Sequence, residues 1–219
     1  MTLRAATAAA LLVAAATTRV SAGDDEHSKV LGSVHVQAGQ HTGDATTVNG
    51  SVEVGANAVA KHTESVNGAI RIHDHATVDS VKTVNGSVHL DDGTRVNGDV
   101  ELVNGGIIIG RDVEVSGRLS NVNGNIEIQS AHIAGGIETT NGDLDVGMGS
   151  RIEGGILYEK TNEGWFNFGT KVPRVVIGPG AVVKGTLRLR REVKLYVSDR
   201  ATIGPVEGAT AIRFSGSRP

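Results

Sequence analysis

An all-β fold is predicted for this 219-residue chain, a single-stranded parallel β-helix (β-solenoid) of about ten coils of 18–20 residues. Three observations predict it. The phrase TVNGSVEV, first complete at Thr47–Val54, returns five times, with its asparagines at Asn49, Asn67, Asn85, Asn104, Asn123 and Asn141. Apolar residues alternate after each Asn-Gly pair and fall at the same places in every copy. Aromatic residues make up only 3% of the chain, too few for a globular core built on rings, whereas small β-branched side chains suit a narrow interior of stacked strands.

Taken in order, the chain opens with Arg4, an apolar run from Ala5 to Ala16, and Val20-Ser21-Ala22 ahead of Gly23. That pattern reads as an export signal over residues 1–22, too short to span a bilayer as a helix. The expected location is periplasmic or envelope-associated, with no transmembrane segment in the mature chain. The chain contains no Cys, which removes disulfides and thiol chemistry, so an oxidising compartment leaves the fold untouched.

The β-helix with VNG repeats is predicted over residues 23–157. VLGSVHV at Val30 matches VNGSVEV at Val48 with an offset of 18, Leu31 standing where the Asn would be, as in an atypical terminal repeat. Within a period, the pairs Val52 and Val54, Ile70 and Ile72, and on to Leu144 and Val146 alternate as a strand with one buried face does. A second inward row runs through Val78, Val96, Val115, Ile133 and Ile152, and a third through Val100, Leu119, Ile137 and Ile156. Three short strands per period describe a triangular coil. At the Asn-Gly corner both residues tolerate positive φ, and stacked asparagines can pass amide hydrogen bonds from coil to coil. A meander of hairpins would also use Asn-Gly, but it has no need for the other two rows to keep step.

The period breaks over residues 158–174 and resumes at Val175, where VVIGPGAVVKGTLRL matches LDVGMGSRIEGGILY at Leu144 with a constant offset of 31. Residues 175–219 form the last coils and a cap, the final strand starting its inward alternation at Ile212. The break holds Trp165, Phe166 and Phe168, with Tyr158 at its base. These are expected to leave the coil and form a binding loop for a protein, glycan or membrane interface, the equal alternative being a loop that folds back over a side of the coil and buries its own rings.

Repeated V-x-G-x-[IV]-x-[IV] units such as Val48-Asn49-Gly50-Ser51-Val52-Glu53-Val54 resemble those of the bactofilins, bacterial polymer-forming cytoskeletal proteins built as a parallel β-helix. More loosely, they resemble the exported β-strand-repeat proteins of bacterial envelopes. The similarity covers residues 30–208. It implies a right-handed helix, no nucleotide or metal, and assembly end to end; the export signal moves the expected setting from cytoskeleton to envelope. Ile177-Gly178-Pro179-Gly180-Ala181-Val182 is similar to the hexapeptide repeat of left-handed β-helix acyltransferases. The 19-residue turns break strict sixes, and left-handedness stays the alternative.

Reaction chemistry is sparse. His73-Asp74-His75 would place two imidazoles on one side of a strand, without a third metal ligand. Glu127 and Asp145 would lie on adjacent coils, about 4.8 Å apart at the backbone, near the separation of a retaining glycosidase's carboxylates. No aromatic platform accompanies them, and a polysaccharide-active enzyme is a remote alternative. No phosphate loop, nucleophile elbow or ring-interleaved basic stretch for nucleic acid is present. The residues call for no cofactor, no metal and no catalytic role.

Charge is uneven. Residues 23–173 hold 10 Lys and Arg against 21 Asp and Glu, while residues 174–219 hold 9 against 3. On a rod this asymmetry becomes an acidic shaft with a basic end, concentrated at Arg188, Arg190, Arg191 and Lys194 and suited to an anionic envelope surface or the acidic end of another copy. The expected function is an exported structural or scaffolding β-solenoid of the bacterial cell envelope that self-assembles end to end. The alternative is a monomeric adhesin-like module binding glycan, lipopolysaccharide or an envelope protein.

Overall fold

The computed structural model describes residues 27–160 and 172–219. The expected export signal over residues 1–22 and the loop residues Trp165, Phe166 and Phe168 lie outside the described residues.

Every pairing between named strands is parallel, and each strand pairs with its counterpart one coil further on. This excludes the hairpin meander. The first face begins at Val34–Val36 and continues through Val52–Val54, Ile70–Ile72 and Val88–Leu90 to Ala211–Phe214, which counts ten coils. The second face carries the row from Ala60 and Val78 to Ile152 and Val183, and the third carries Val100, Leu119, Ile137 and Ile156. Nearly all these inward residues are fully buried in one continuous core. The offset of 31 holds on all three faces, as Leu144 pairs with Val175, Arg151 with Val182, and Ile156 with Leu187.

Four local expectations are corrected. The first concerns the Asn-Gly corner, where Gly105, Gly124 and Gly142 have positive φ but the ladder asparagines do not, and neither do Gly68 and Gly86. Glycine is required there by contact, since a Cβ on Gly68 would sit 1.9 Å from the Gly50 carbonyl oxygen and one on Gly86 2.0 Å from that of Gly68. Positive φ also marks the corner between the first and second faces, at Gly39, Asn57, His75, Gly93 and Asp112.

The second is the last strand. Leu195 pairs with Ala211 and Tyr196 with Ile212, one residue out of the expected phase, so Ile212 points outward and is 50% exposed. A slip of one residue exchanges the two faces of a strand. The third is Tyr158, which remains in the coil at Ile156–Tyr158, opposite Thr139, fully buried. The described coil therefore stops after Tyr158 and resumes at Arg174.

The fourth is His73-Asp74-His75, which forms a turn. Both ring nitrogens of His73 face carboxylates, Nε2 at 2.6 Å from Glu53 and Nδ1 at 3.1 Å from Asp91, while His75 occupies the left-handed corner beside Gly93. The alternation needed to aim both rings at one ion is lost. Among the described residues no group of three or more potential metal ligands converges.

Candidate functional site

The third face and its ends hold most of the residues singled out from the sequence. At its edge the six asparagines form one ladder. Asn67 Nδ2 donates to Asn49 Oδ1 at 2.9 Å, and the same bond repeats from Asn85, Asn104, Asn123 and Asn141 at 2.8–2.9 Å. Arg191 caps the ladder, donating through Nη1 to Asn141 Oδ1 and, at 2.8 Å, to the Thr140 carbonyl. At the other end Leu31 takes the ladder position opposite Asn49 and is 75% exposed.

Behind the asparagines runs an inward polar row that reading for apolar rows misses. Thr47 donates to the carbonyl of Gly32 (2.9 Å), Ser65 to that of Gly50 (2.9 Å), Thr83 to that of Gly68 (3.1 Å), and Tyr158 to that of Gly142 (3.0 Å). These hydroxyls satisfy the corner carbonyls that the close glycine stacking turns inward. Leu102 interrupts the row, and Asn121 overreaches: its amide donates to both Gly105 and Gly124 carbonyls at 3.1 Å. Thr139 Oγ1, whose place in the row faces Gly124, is consequently left buried without a partner, as is Asn121 Oδ1. Replacing Asn121 by Thr is expected to stabilise the fold by about 1 kcal/mol, because it removes one orphan and returns an acceptor to Thr139. Urea unfolding of the two chains checks this.

In front, the third face presents two outward rows. One alternates in charge, running Ser28, Thr46, Glu64, Lys82, Glu101, Ser120, Glu138, Leu157, Arg188 and Glu207. Lys82 leans to Glu101 at 3.6 Å, and burial pushes the Glu64 carboxyl above its ordinary range, more strongly than Lys82 lowers it. An acid with a raised folded-state pKa is penalised when ionised, so its contribution is favourable below about pH 4.5 and lost as pH rises through the folded value. The Glu64→Gln chain should therefore unfold at higher temperature than the parent at pH 7, with the difference vanishing below pH 4. The second outward row is apolar: Val30, Val48, Val66, Val84, Val103 and Val122, one per coil.

The opposite pH sign holds on the second face. Glu153 meets Lys184 Nζ at 2.7 Å, Arg151 Nε, and His132 Nε2 at 3.5 Å. Hydrogen bonds from Lys184 and then Arg151 hold it down at about 2. Its contribution is present above about pH 4.5 and lost as pH falls toward 2. Replacing Glu153 by Gln should therefore lower the unfolding temperature at pH 7 and leave it unchanged near pH 2.

The predicted basic end is largely neutralised within the chain. Arg188 pairs with Glu207 at 2.8 Å and Arg190 with Glu159 at 3.0 Å, Arg191 caps the asparagines, and Lys194 is exposed. Arg118 and Arg188 flank a shallow groove of about 300 Å³ floored by Ile137 and Ile156, but Arg118 is itself paired with Glu138 at 3.2 Å. Glu127 and Asp145 do face outward on adjacent coils, and they continue an outward row that runs His35, Glu53, Arg71, His89, Ile108.

At both ends of the described coils a charged residue takes an inward position. Lys29 stands opposite Thr47 and donates to the Ser33 carbonyl at 2.7 Å; Arg213 stands opposite Val197 and donates to the Ser198 carbonyl at 3.1 Å. Among the described residues no helix is long and apolar enough to cross a membrane. No family model, curated protein or solved structure matches the chain.

Proposed function

We propose that the protein is an exported structural rod of the bacterial cell envelope, a scaffold that self-associates through the side of its β-solenoid. The observation that carries this reading is the third face, where an asparagine row and a valine row, six residues each, run side by side and share five coils. Repetition of outward residues offers a long array for association, whereas catalysis needs only one local cluster. Export and the envelope setting rest on the residue 1–22 pattern, and the scaffold role on the bactofilin resemblance. Of the two modes of assembly, the side is favoured over the ends. Stacking a further coil on either end would bury Lys29 or Arg213 in the column of inward side chains, a costly place for a cation.

The test is fractionation of cells expressing the full chain, with the N-terminus of the recovered protein determined. A chain beginning near Gly23 in the envelope fraction is expected; a full-length chain in the cytosol would overturn the reading. The second reading, a monomeric module for an anionic surface, is favoured by the net charge of residues 174–219. Sedimentation with anionic but not neutral vesicles, lost at high salt, would favour it.

A further inference from the structure

We infer that two copies of this chain pair side by side, antiparallel, by packing their valine rows together. The inference rests on the scaffold reading and names its contact. Five of the six valines are half-buried against their neighbours along the row, and the terminal Val30 is 62% exposed. The corner end of their strand is inverted relative to an ordinary half-buried strand, with hydroxyls such as Thr47 and Thr83 inside and valines outside. Solvent alone gives no reason to repeat an outward valine through six successive coils, since polar residues would serve that face as well.

The charges beside the row decide the partner and its direction. A two-fold axis along the strand direction, between the third and fourth coils, brings all six valines of one copy onto those of the other. Val30 then meets Val122, Val48 meets Val103, and Val66 meets Val84. The same operation sets Glu64 against Lys82 and Thr46 against Glu101, and it repeats each contact on the other side of the axis. No like charges oppose, and Glu64, partly withdrawn from water in the single rod, gains a cation from the other copy.

Six coils at about 4.8 Å and a five-residue strand at about 3.3 Å per residue give a footprint of about 460 Å² per copy. The total of about 900 Å² falls just under the roughly 1,000 Å² of a stable interface. The pair is therefore weak and reversible, formed at micromolar concentration and above.

Because the chain contains no Cys, introduced cysteines report the geometry cleanly. With a short bismaleimide cross-linker a mixture of Val48→Cys and Val103→Cys chains is expected to give about tenfold more covalent dimer than either variant alone, since opposed positions on face-packed sheets lie about 10 Å apart while like positions are offset by a further three coils, about 14 Å along the rods. Either variant cross-linking efficiently to itself would overturn the antiparallel arrangement. Sedimentation equilibrium gives an independent readout: Glu64→Lys should weaken dimerisation about tenfold, and adding Lys82→Glu should restore it. A parent chain that stays monomeric to high concentration, with no cross-linking in the mixture, means the valine row is not a self-contact. If that monomer is still processed and recovered in the envelope, the pairing fails while the export and envelope location stand; cytosolic full-length chain fails the scaffold reading itself.

Discussion

Replacing Gly86 by Ala is expected to destabilise the solenoid by about 3–5 kcal/mol, the upper range for a single substitution. The new methyl would lie 2.0 Å from the Gly68 carbonyl oxygen and 2.5 Å from its carbon. Neither atom can yield cheaply, because Gly68 N–H is bonded to the Asn85 carbonyl at 2.8 Å and Gly86 N–H to the Asn104 carbonyl at 3.0 Å. Separating the two coils at this corner would also break the Asn85–Asn67 amide bond. Gly149 supplies the contrast: its φ is +72°, yet nothing lies closer than 3.8 Å to its added Cβ. Ala there should cost only the conformational penalty of about 1 kcal/mol. Denaturant unfolding of both variants separates close stacking from backbone conformation as the reason for glycine.

Replacing Tyr158 by Ala is expected to cost a similar 3–5 kcal/mol, since it empties the place of a fully buried aromatic ring in the last coil before the break. Tyr158→Phe keeps the ring and removes only the hydrogen bond to Gly142, for about 1 kcal/mol. Burial pushes the phenol well above its ordinary range, so its contribution holds at neutral pH and fades only as pH rises far into the alkaline range. A ring exposed in a binding loop would give the reverse pattern, with little loss of stability on truncation to Ala. Thermal unfolding of the two variants distinguishes the alternatives.

The period, the ten coils and the 31-residue offset could be read from the sequence because apolar alternation is a direct record of which side of a strand is dry. The same rule misled in two places. The Thr, Ser and Asn row at residues 47, 65, 83 and 121 is inward because corner carbonyls need donors, and a search for apolar rows passes over it. The valine before five of the six ladder asparagines is apolar yet outward, so its register became visible only from the strand pairing.

His73 and His75 could not be placed without knowing where the strand ends, since one residue of turn changes both directions. Arg191 lies 50 residues from the asparagine it caps, and the intervening break hides that proximity from any repeat alignment. The charge asymmetry was correctly counted, but counting cannot show that Arg188 and Arg190 already have Glu207 and Glu159 beside them.

Small-angle scattering of a chain beginning at Gly23, over a concentration series, tests the side-associating rod most directly. At low concentration ten coils at about 4.8 Å should give a rod about 45 Å long. As the mass doubles, an antiparallel overlap of six coils should extend the particle by only four coils, to about 65 Å, while the cross-section thickens. Doubling of length at constant cross-section would show end-to-end growth instead, and a compact globule at low concentration would contradict the solenoid itself.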